Sequence, residues 1–512
     1  MKRNKFSLSH YKLLSCDMGE LVPIGCLEVL PGDTVQHATS ALLRCSPLLA
    51  PVMHPVQVRI HHFFVPHRLT WENWENFITG GPDGEDDSVF PTIELSYSAG
   101  SPDTGSGIVG GLADYLGCPT RVDGLEVSAL PFRAYALVFN EWYRDQDLVN
   151  PVGFSTADGL DTTTNTALLR AAWEKDYFTS ARPWEQKGPS ITLPIGDRAP
   201  VVGVGFTGTY YSGGALSNVL ARDSDGSDMT YPTAFIPGYS VINPVGGMVV
   251  KSTSSSDTDA HPDVYADLTQ AAAVSITALR EAFALQRYQE ARARYGSRYT
   301  EYLRYLGVSS SDARLQRPEY LGGGKQTIQF SEVLQTAEGT DPVGEMRGHG
   351  ISAMRTNRYR RFFEEHGYVI TLLSVKPKTI YTQGVPRTYN RRTKEDFWQK
   401  ELEHIGQQEV LNKEVYAAGD ANDDEVFGYQ DRYDEYRRQE STVSGEFRTA
   451  ELDHWHFARQ FSNRPALNQS FVEAVPTEAP FAVPSRDVLY VMANHSIQAR
   501  RMLSRTGKSF IL

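Results

Sequence analysis

Three runs in which arginine and tyrosine interleave are the residues best suited to chemistry in this sequence. Arg355, Arg358, Tyr359, Arg360 and Arg361 form the first, and Arg387, Tyr389, Arg391, Arg392 and Lys394 the second. Arg432, Tyr433, Tyr436, Arg437 and Arg438 form the third. Cations neutralise phosphates, and aromatic or guanidinium planes stack on bases without reading their order. Such runs therefore suit sequence-tolerant contact with a single strand. Arginine and tyrosine are also enriched where proteins meet, and both roles stay open for each run.

Other chemistries fail at named residues. A phosphate loop needs G-x-x-x-x-G-K-[ST], with the hydroxyl on magnesium. Gly324-Lys325 has Glu319 at the first glycine position and Gln326 after the lysine. Gly507-Lys508-Ser509 has Met502 at the first glycine position. Both runs are therefore expected to be turns. His61 and His62 are adjacent, so on a strand they point to opposite faces and cannot share one ion. His454 and His456 would share a face but lack a nearby third ligand for zinc. Asp420-x-Asn422-x-Asp424 opens like a calcium loop, yet Glu425 stands where glycine is needed and Asp431 where glutamate is. A loose calcium site from Asp420, Asp423, Asp424 and Glu425 is the weak remainder, and a solvated acidic loop the commoner explanation. Neither G-x-S-x-G nor H-E-x-x-H occurs, so no enzyme is expected and no cofactor is implied.

The elements that hold these residues read as mainly β. Residues 52–65 alternate, with Val56, Val58, Ile60, His62 and Phe64 on one face and Gln57, Arg59 and His61 on the other. Residues 367–375, GYVITLLSV, form a more uniformly apolar run with β-branched residues, which predicts a strand buried on both faces or in the core of a sandwich. Three helices are predicted. One starts at Pro131 and carries Phe132, Tyr135, Ala136, Phe139, Trp142 and Tyr143. The second spans about 268–306, and the third about 394–417. Residues 82–128 and 196–267 are rich in Gly, Ser, Thr and Asp, and the second stretch reads as a long surface insertion of loops and short strands.

The formal net charge of −12 argues against a surface that is wholly a nucleic-acid sheath. The ends differ from the body. Lys2, Arg3, Lys5 and Lys12 open the chain, and Arg500, Arg501, Arg505 and Lys508 close it, with no acid in either segment. Four cysteines make no disulfide framework. A signal peptide and a transmembrane helix are not expected.

Several strings carry a resemblance. They include EVLPGD (28–33), SALLRCSPLLAPVMHPV (40–56), FFVPHRLTWENWENFITGG (63–81), YALVFNEWYRDQDL (135–148) and DYFTSARPWEQKGP (176–189). LREAFALQRYQEARARYGSRYTEYL (279–303), EHGYVITLLSV (365–375), YTQGVPR (381–387), LNKEVY (411–416) and VFGYQDRYDEYRRQ (426–439) follow. In their order and spacing they resemble the major capsid proteins of the Microviridae, most of all the gokushovirus-type branch.

The resemblance implies an eight-stranded antiparallel jelly roll with long inserted loops and a few helices. Residues 1–190 would hold the first part of its core, with a basic arm and a loop insertion near 82–128. Residues 191–270 would form a surface insertion at the three-fold axes, and 271–512 the rest of the core with a basic tail. It further implies a T=1 icosahedral shell of identical subunits in the virion, assembled in the host bacterial cytoplasm around circular single-stranded DNA. The implied partners are other copies of the chain, the genome, a small basic DNA-binding protein, a scaffolding protein and a host-cell receptor, without membrane insertion. A free-standing β-rich binding module and a hydrolase on a β scaffold are the other function classes; the first would normally need a signal peptide, and the second lacks a recognisable site.

Overall fold

The computed structural model describes residues 3–82, 85–189, 191, 276–295, 316–336 and 343–505, with short strand segments between 201 and 266. The chain forms two units, Met1–Glu185 with Arg292–Leu512, and Gln186–Ala291.

The first unit is built on two antiparallel sheets. In chain order their strands are β1 (Asn4–Ser7), β2 (His10–Cys16), β3 (Leu21–Val29), β4 (Thr34–Cys45), β5 (Val56–Pro66) and β6 (Glu319–Thr327). Then come β7 (Gln329–Leu334), β8 (Met346–Arg355), β9 (Tyr359–Phe362), β10 (Gly367–Pro377) and β11 (Leu489–Arg501). One sheet runs β1-β11-β4-β8-β7, with β2 also on β11 and β9 also on β4; the other runs β6-β5-β10-β3.

Side-chain alternation explains the layering. In β5 the residues Val56, Val58, Ile60, His62 and Phe64 are buried, while Gln57, Arg59 and His61 are half-buried, as the spacing predicts. Between the sheets, Ile24, Leu43, Val58, Ile60, Leu373 and Val491 form one apolar cluster. Val35, Phe64, Phe363, Val369 and Ile497 form another. Each such side chain contributes roughly 1.5–3 kcal/mol by leaving water. Strand β10 is buried on both faces, because Ile370 and Leu372 pack into a further layer outside its sheet.

That outer layer centres on α1 (Leu130–Val138), whose first turn holds Pro131. Proline is tolerated there because the missing N–H would have no helical partner. Phe132, Tyr135 and Val138 are buried, and the Tyr135 hydroxyl donates to the Leu21 carbonyl at 2.8 Å. The helix passes into a π-helical turn, Phe139–Tyr143. Residues 82–128 complete the layer through the ribbon Thr92–Leu95 with Leu125–Ser128 and the short helix Leu112–Leu116.

The sandwich interior also holds a polar seam. His37 of β4, His62 of β5 and His495 of β11 are buried side by side. The His37 ring lies 3.1 Å from the Tyr359 hydroxyl through Nδ1, and 3.2 Å from His495 Nδ1 through Nε2. His62 meets the hydroxyls of Thr371 at 2.9 Å and Thr356 at 3.3 Å. His495 Nε2 reaches the Ile24 carbonyl at 3.0 Å, and His10 stacks on its ring at 4.9 Å. Burial first, and the neighbouring imidazoles second, push His37 down to about 2 and His62 to about 3. Burial likewise lowers His495 to about 4.

Two expectations need correction. Residues 394–417 are not one helix. A single 3-10 turn, Lys394–Asp396, is followed by turns, a strand Gln407–Leu411 and a four-residue helix Asn412–Val415. Gly406 at φ +39° stops helical winding, and Val410 is buried by pairing with Val426–Asp431. Nor do Gly322, Gly323 and Gly324 form a turn, for they lie within β6. A bulge sits between Tyr320 and Gly322, and a Cβ on Gly323 would come 2.4 Å from the Ile60 carbonyl oxygen, so glycine lets β6 lie flat on β5. Gly507–Ser509 lies outside the described residues.

The second predicted helix is described over Ile276–Tyr295, labelled α2, and its remainder within 268–306 lies outside the described residues. Most of the insertion at 191–270 lies outside them too. What is described there is three short antiparallel ladders: Val201–Val202 with Tyr265–Ala266, Val204–Thr207 with Gly247–Val250, and Thr209–Ser212 with Ala215–Asn218. Among the described residues no helix is long and apolar enough to cross a membrane.

Candidate nucleic-acid interface

The three arginine–tyrosine runs separate in space. In the first, Arg355 ends β8 and Arg360 sits in β9 opposite Gln36; both point away from the core and are exposed. Arg358 is exposed in the turn between these strands. Tyr359 turns inward to His37, and Arg361 pairs with Glu319 at 3.2 Å. Only Arg355, Arg358 and Arg360 of this run are therefore free to meet a phosphate.

The other two runs meet each other. Arg387 pairs with buried Glu414 at 2.8 Å, and Arg391 with Glu435 at 3.3 Å. Burial pushes the Glu414 carboxyl up, against the pull of Arg387. The Arg391 guanidinium lies 4.4 Å over the Tyr436 ring and 5.3 Å over Phe397. Tyr433 is buried, its hydroxyl 3.0 Å from the carbonyls of Glu395 and Phe397, with Arg432 over its ring. Arg437 and Arg438 both pair with Asp434, at 3.8 and 2.7 Å. Tyr389, Arg392 and Lys394 stay exposed. These cations hold the 387–438 region together from within.

The acidic loop is occupied in the same way. The Arg464 guanidinium lies 2.6 Å from Asp420 and 2.7 Å from Asp423, where a bound cation would stand. Asp423 also accepts from the Ala418 and Gly419 amides, which with Arg464 hold its carboxyl below the usual range. Asp424 pairs with Lys413. All three carboxylates of the calcium candidate, Asp420, Asp423 and Asp424, are thus paired with cations of the chain itself. Elsewhere, His61 and His62 point to opposite faces, His61 reaching the Tyr143 hydroxyl at 2.7 Å. His454 lies in the short turn Asp453–Trp455, while His456 reaches the Phe447 carbonyl.

The larger feature was not visible as a motif. Within the seven strands of the first sheet the one acid is Glu332 of β7, which the alternation sets on the side of Phe330; at the strand ends Glu345 pairs with Arg347 and Asp487 accepts from Ser15. The outward cations are Lys5 of β1, Arg44 of β4, Arg347 and Arg355 of β8, Arg360 of β9 and Arg500 of β11. The register seats Lys5 directly opposite Arg500, so the two basic ends of the sequence join on one corner of the sheet. There Arg3, Lys5, Arg360, Arg500 and Arg505 line one recess with Asn4 and Thr34. The Arg3 guanidinium also lies 4.9 Å over Phe362. Among the described residues, Lys5, Arg44, Arg355, Arg360 and Arg500 carry no ion pair. Two terminal cations go elsewhere. Lys12 turns inward to the Pro23 and Tyr115 carbonyls, where burial lowers its pKa, and Arg501 pairs with Asp33 at 2.9 Å. Uncompensated cations on a sheet face whose strands carry no outward acid create a positive field that draws a polyanion.

Comparison with known proteins gives this geometry a context. The profile of a family described as "Capsid protein (F protein)" matches residues 1–510. The chain is 37% identical to "Capsid protein VP1" of Bdellovibrio phage phiMH2K over 499 residues, covering 95% of this chain and 90% of that protein. It is 35% identical to "Capsid protein VP1" of Chlamydia phage 1, covering 95% and 92%. It is 32% identical to "Capsid protein VP1" of Spiroplasma virus 4, covering 92% and 87%.

Proposed function

This chain belongs to the capsid protein (F protein) family of phages, and from that premise we propose that it closes into a T=1 shell with its cation-bearing sheet face turned to a circular single-stranded DNA genome. As a capsid protein of Microviridae type it is a structural, non-catalytic component of the virion that self-associates. The observation that carries the genome-facing reading is the row of uncompensated cations on that face in a chain of net charge −12. A wall with one cationic side and an acidic remainder can attract the genome inward while leaving its other surfaces for protein contacts.

The eight-stranded jelly roll is the fold we assign to the core. Its support is the strand order β2-β11-β4-β8 facing β3-β10-β5-β6, in which consecutive strands cross between the sheets except β5 and β6, which pair with each other. Residues 191–270 are assigned to a surface insertion that meets the host-cell receptor, on the strength of their loop-like composition. The acidic total leaves part of the genome's charge to others, which supports a small basic DNA-binding protein beside a scaffolding protein during assembly in the host bacterial cytoplasm.

The test replaces Lys5, Arg355, Arg360 and Arg500 with glutamine. Shells of normal size that retain less DNA are expected, with a weaker salt dependence of retention. The slope of log affinity against log salt should fall by about 0.7 for each phosphate contact removed. Full DNA retention by the fourfold variant would falsify the genome-facing assignment. Glutamine at Arg437 and Arg438 is expected instead to loosen the 387–438 region.

A further inference from the structure

We propose that the middle of this sheet face is a stacking platform for the unpaired bases of single-stranded nucleic acid. The inference rests on the genome-facing reading and adds which part of the strand the centre of the sheet holds. The register aligns three rows across the strands. The central row is Leu13–Met492–Leu42–Ala353, wholly apolar. On one side runs Tyr11–Asn494–Ser40–Arg355, and on the other Ser15–Tyr490–Arg44–Ile351.

These side chains are open to solvent: Tyr11 is 71% exposed, Leu13 69%, Tyr490 46% and Met492 41%. Leu13, Leu42, Arg44, Tyr490 and Met492 line one shallow depression. An apolar patch of this kind on a folded surface marks a contact site. Its charges choose the occupant. Arg355 ends one flanking row and Arg44 stands inside the other, whose Ser15 end donates to the Asp487 carboxylate; within the strands themselves no acid lies on this side. A cationic protein segment would be repelled there. A single nucleic-acid strand combines flat apolar bases with an anionic backbone, and so matches both the central row and the flanking arginines. At a strand spacing of about 4.8 Å the central row spans roughly 14 Å, room for a short run of bases. A duplex hides its base faces and can engage only the cations.

The experiment uses the full chain and three labelled probes of equal length: oligothymidine, an abasic strand and a duplex. The Tyr11→Ala/Tyr490→Ala pair is expected to weaken oligothymidine binding roughly tenfold or more. Abasic and duplex affinities should stay unchanged, and Tyr11→Phe/Tyr490→Phe should restore the preference for bases. Equal losses on oligothymidine and the abasic strand, or no loss on either, overturn the stacking platform. So does a pair that leaves DNA affinity intact while abolishing particle formation by DNA-free protein, which would make the patch a contact between copies. Lys5→Gln/Arg500→Gln separates the two readings. If it leaves the abasic affinity unchanged, the genome-facing reading itself fails. If it weakens that affinity while the tyrosine pair does not discriminate, only the stacking platform fails.

Discussion

At the scale of the residue, the buried histidines set a pH limit. His37, His62 and His495 are neutral inside the sandwich, with pKa values of about 2, 3 and 4. In the unfolded chain they return to about 6.5. The unfolded state therefore binds more protons between those values, so their contribution is complete above pH 6.5 and is lost as pH falls below it. The slope is up to about 1.4 kcal/mol per pH unit for each histidine. His10, Lys12 and Tyr359 flank the seam; the nearby cations reinforce the effect. Denaturant unfolding at pH 7.5 and 5.0 should show a steep loss for the native chain. His62→Gln, which can still bond Thr371 and Thr356, should cost about 1–3 kcal/mol at pH 7.5 but reduce the pH slope. Identical slopes would end this account. At the acidic loop, Arg464 already fills the cation position. Adding calcium or EDTA is therefore expected to leave the melting temperature unchanged.

At the scale of the element, what the sequence disclosed depended on how many faces an element buries. β5 was legible because one buried face imposes period 2, and β10 because two buried faces leave few polar positions, Thr371 and Ser374 among them. The segment 394–417 misled because its helix-forming residues outvote the pairing that fixes Val410, and a partner eighteen residues away, Gly428, leaves no local signal. The glycine run in β6 looked like punctuation but is a close-packing device. Gly323→Ala should destabilise by about 1–3 kcal/mol, since the new Cβ would meet the backbone oxygen of Ile60. Thermal melting of that variant beside Gly322→Ala, where nothing lies within 4 Å of an added Cβ, separates crowding from backbone strain.

At the scale of the whole molecule, the cation-bearing face could not be read from sequence. Its members come from seven strands scattered between Lys5 and Arg500, and only the register aligns them. The basic ends were visible, but their meeting on one corner was not. The arginine–tyrosine runs were visible as well, yet most of their charge is balanced inside the subunit. Deleting about residues 205–260 is expected to spare the two sheets and to impair host attachment; an insoluble product would place that stretch in the core.

The position of β11 has a consequence for how the protein is made. Its residues lie between β2 and β4, and His495 meets His37 across 458 positions of sequence. At about 5–20 residues per second, a ribosome needs tens of seconds to supply the missing middle strand. Until then the first strands have a gap at their centre. Fragments from interrupted translation therefore cannot complete the sheet, and quality control over which subunits join the particle is built into the order of synthesis.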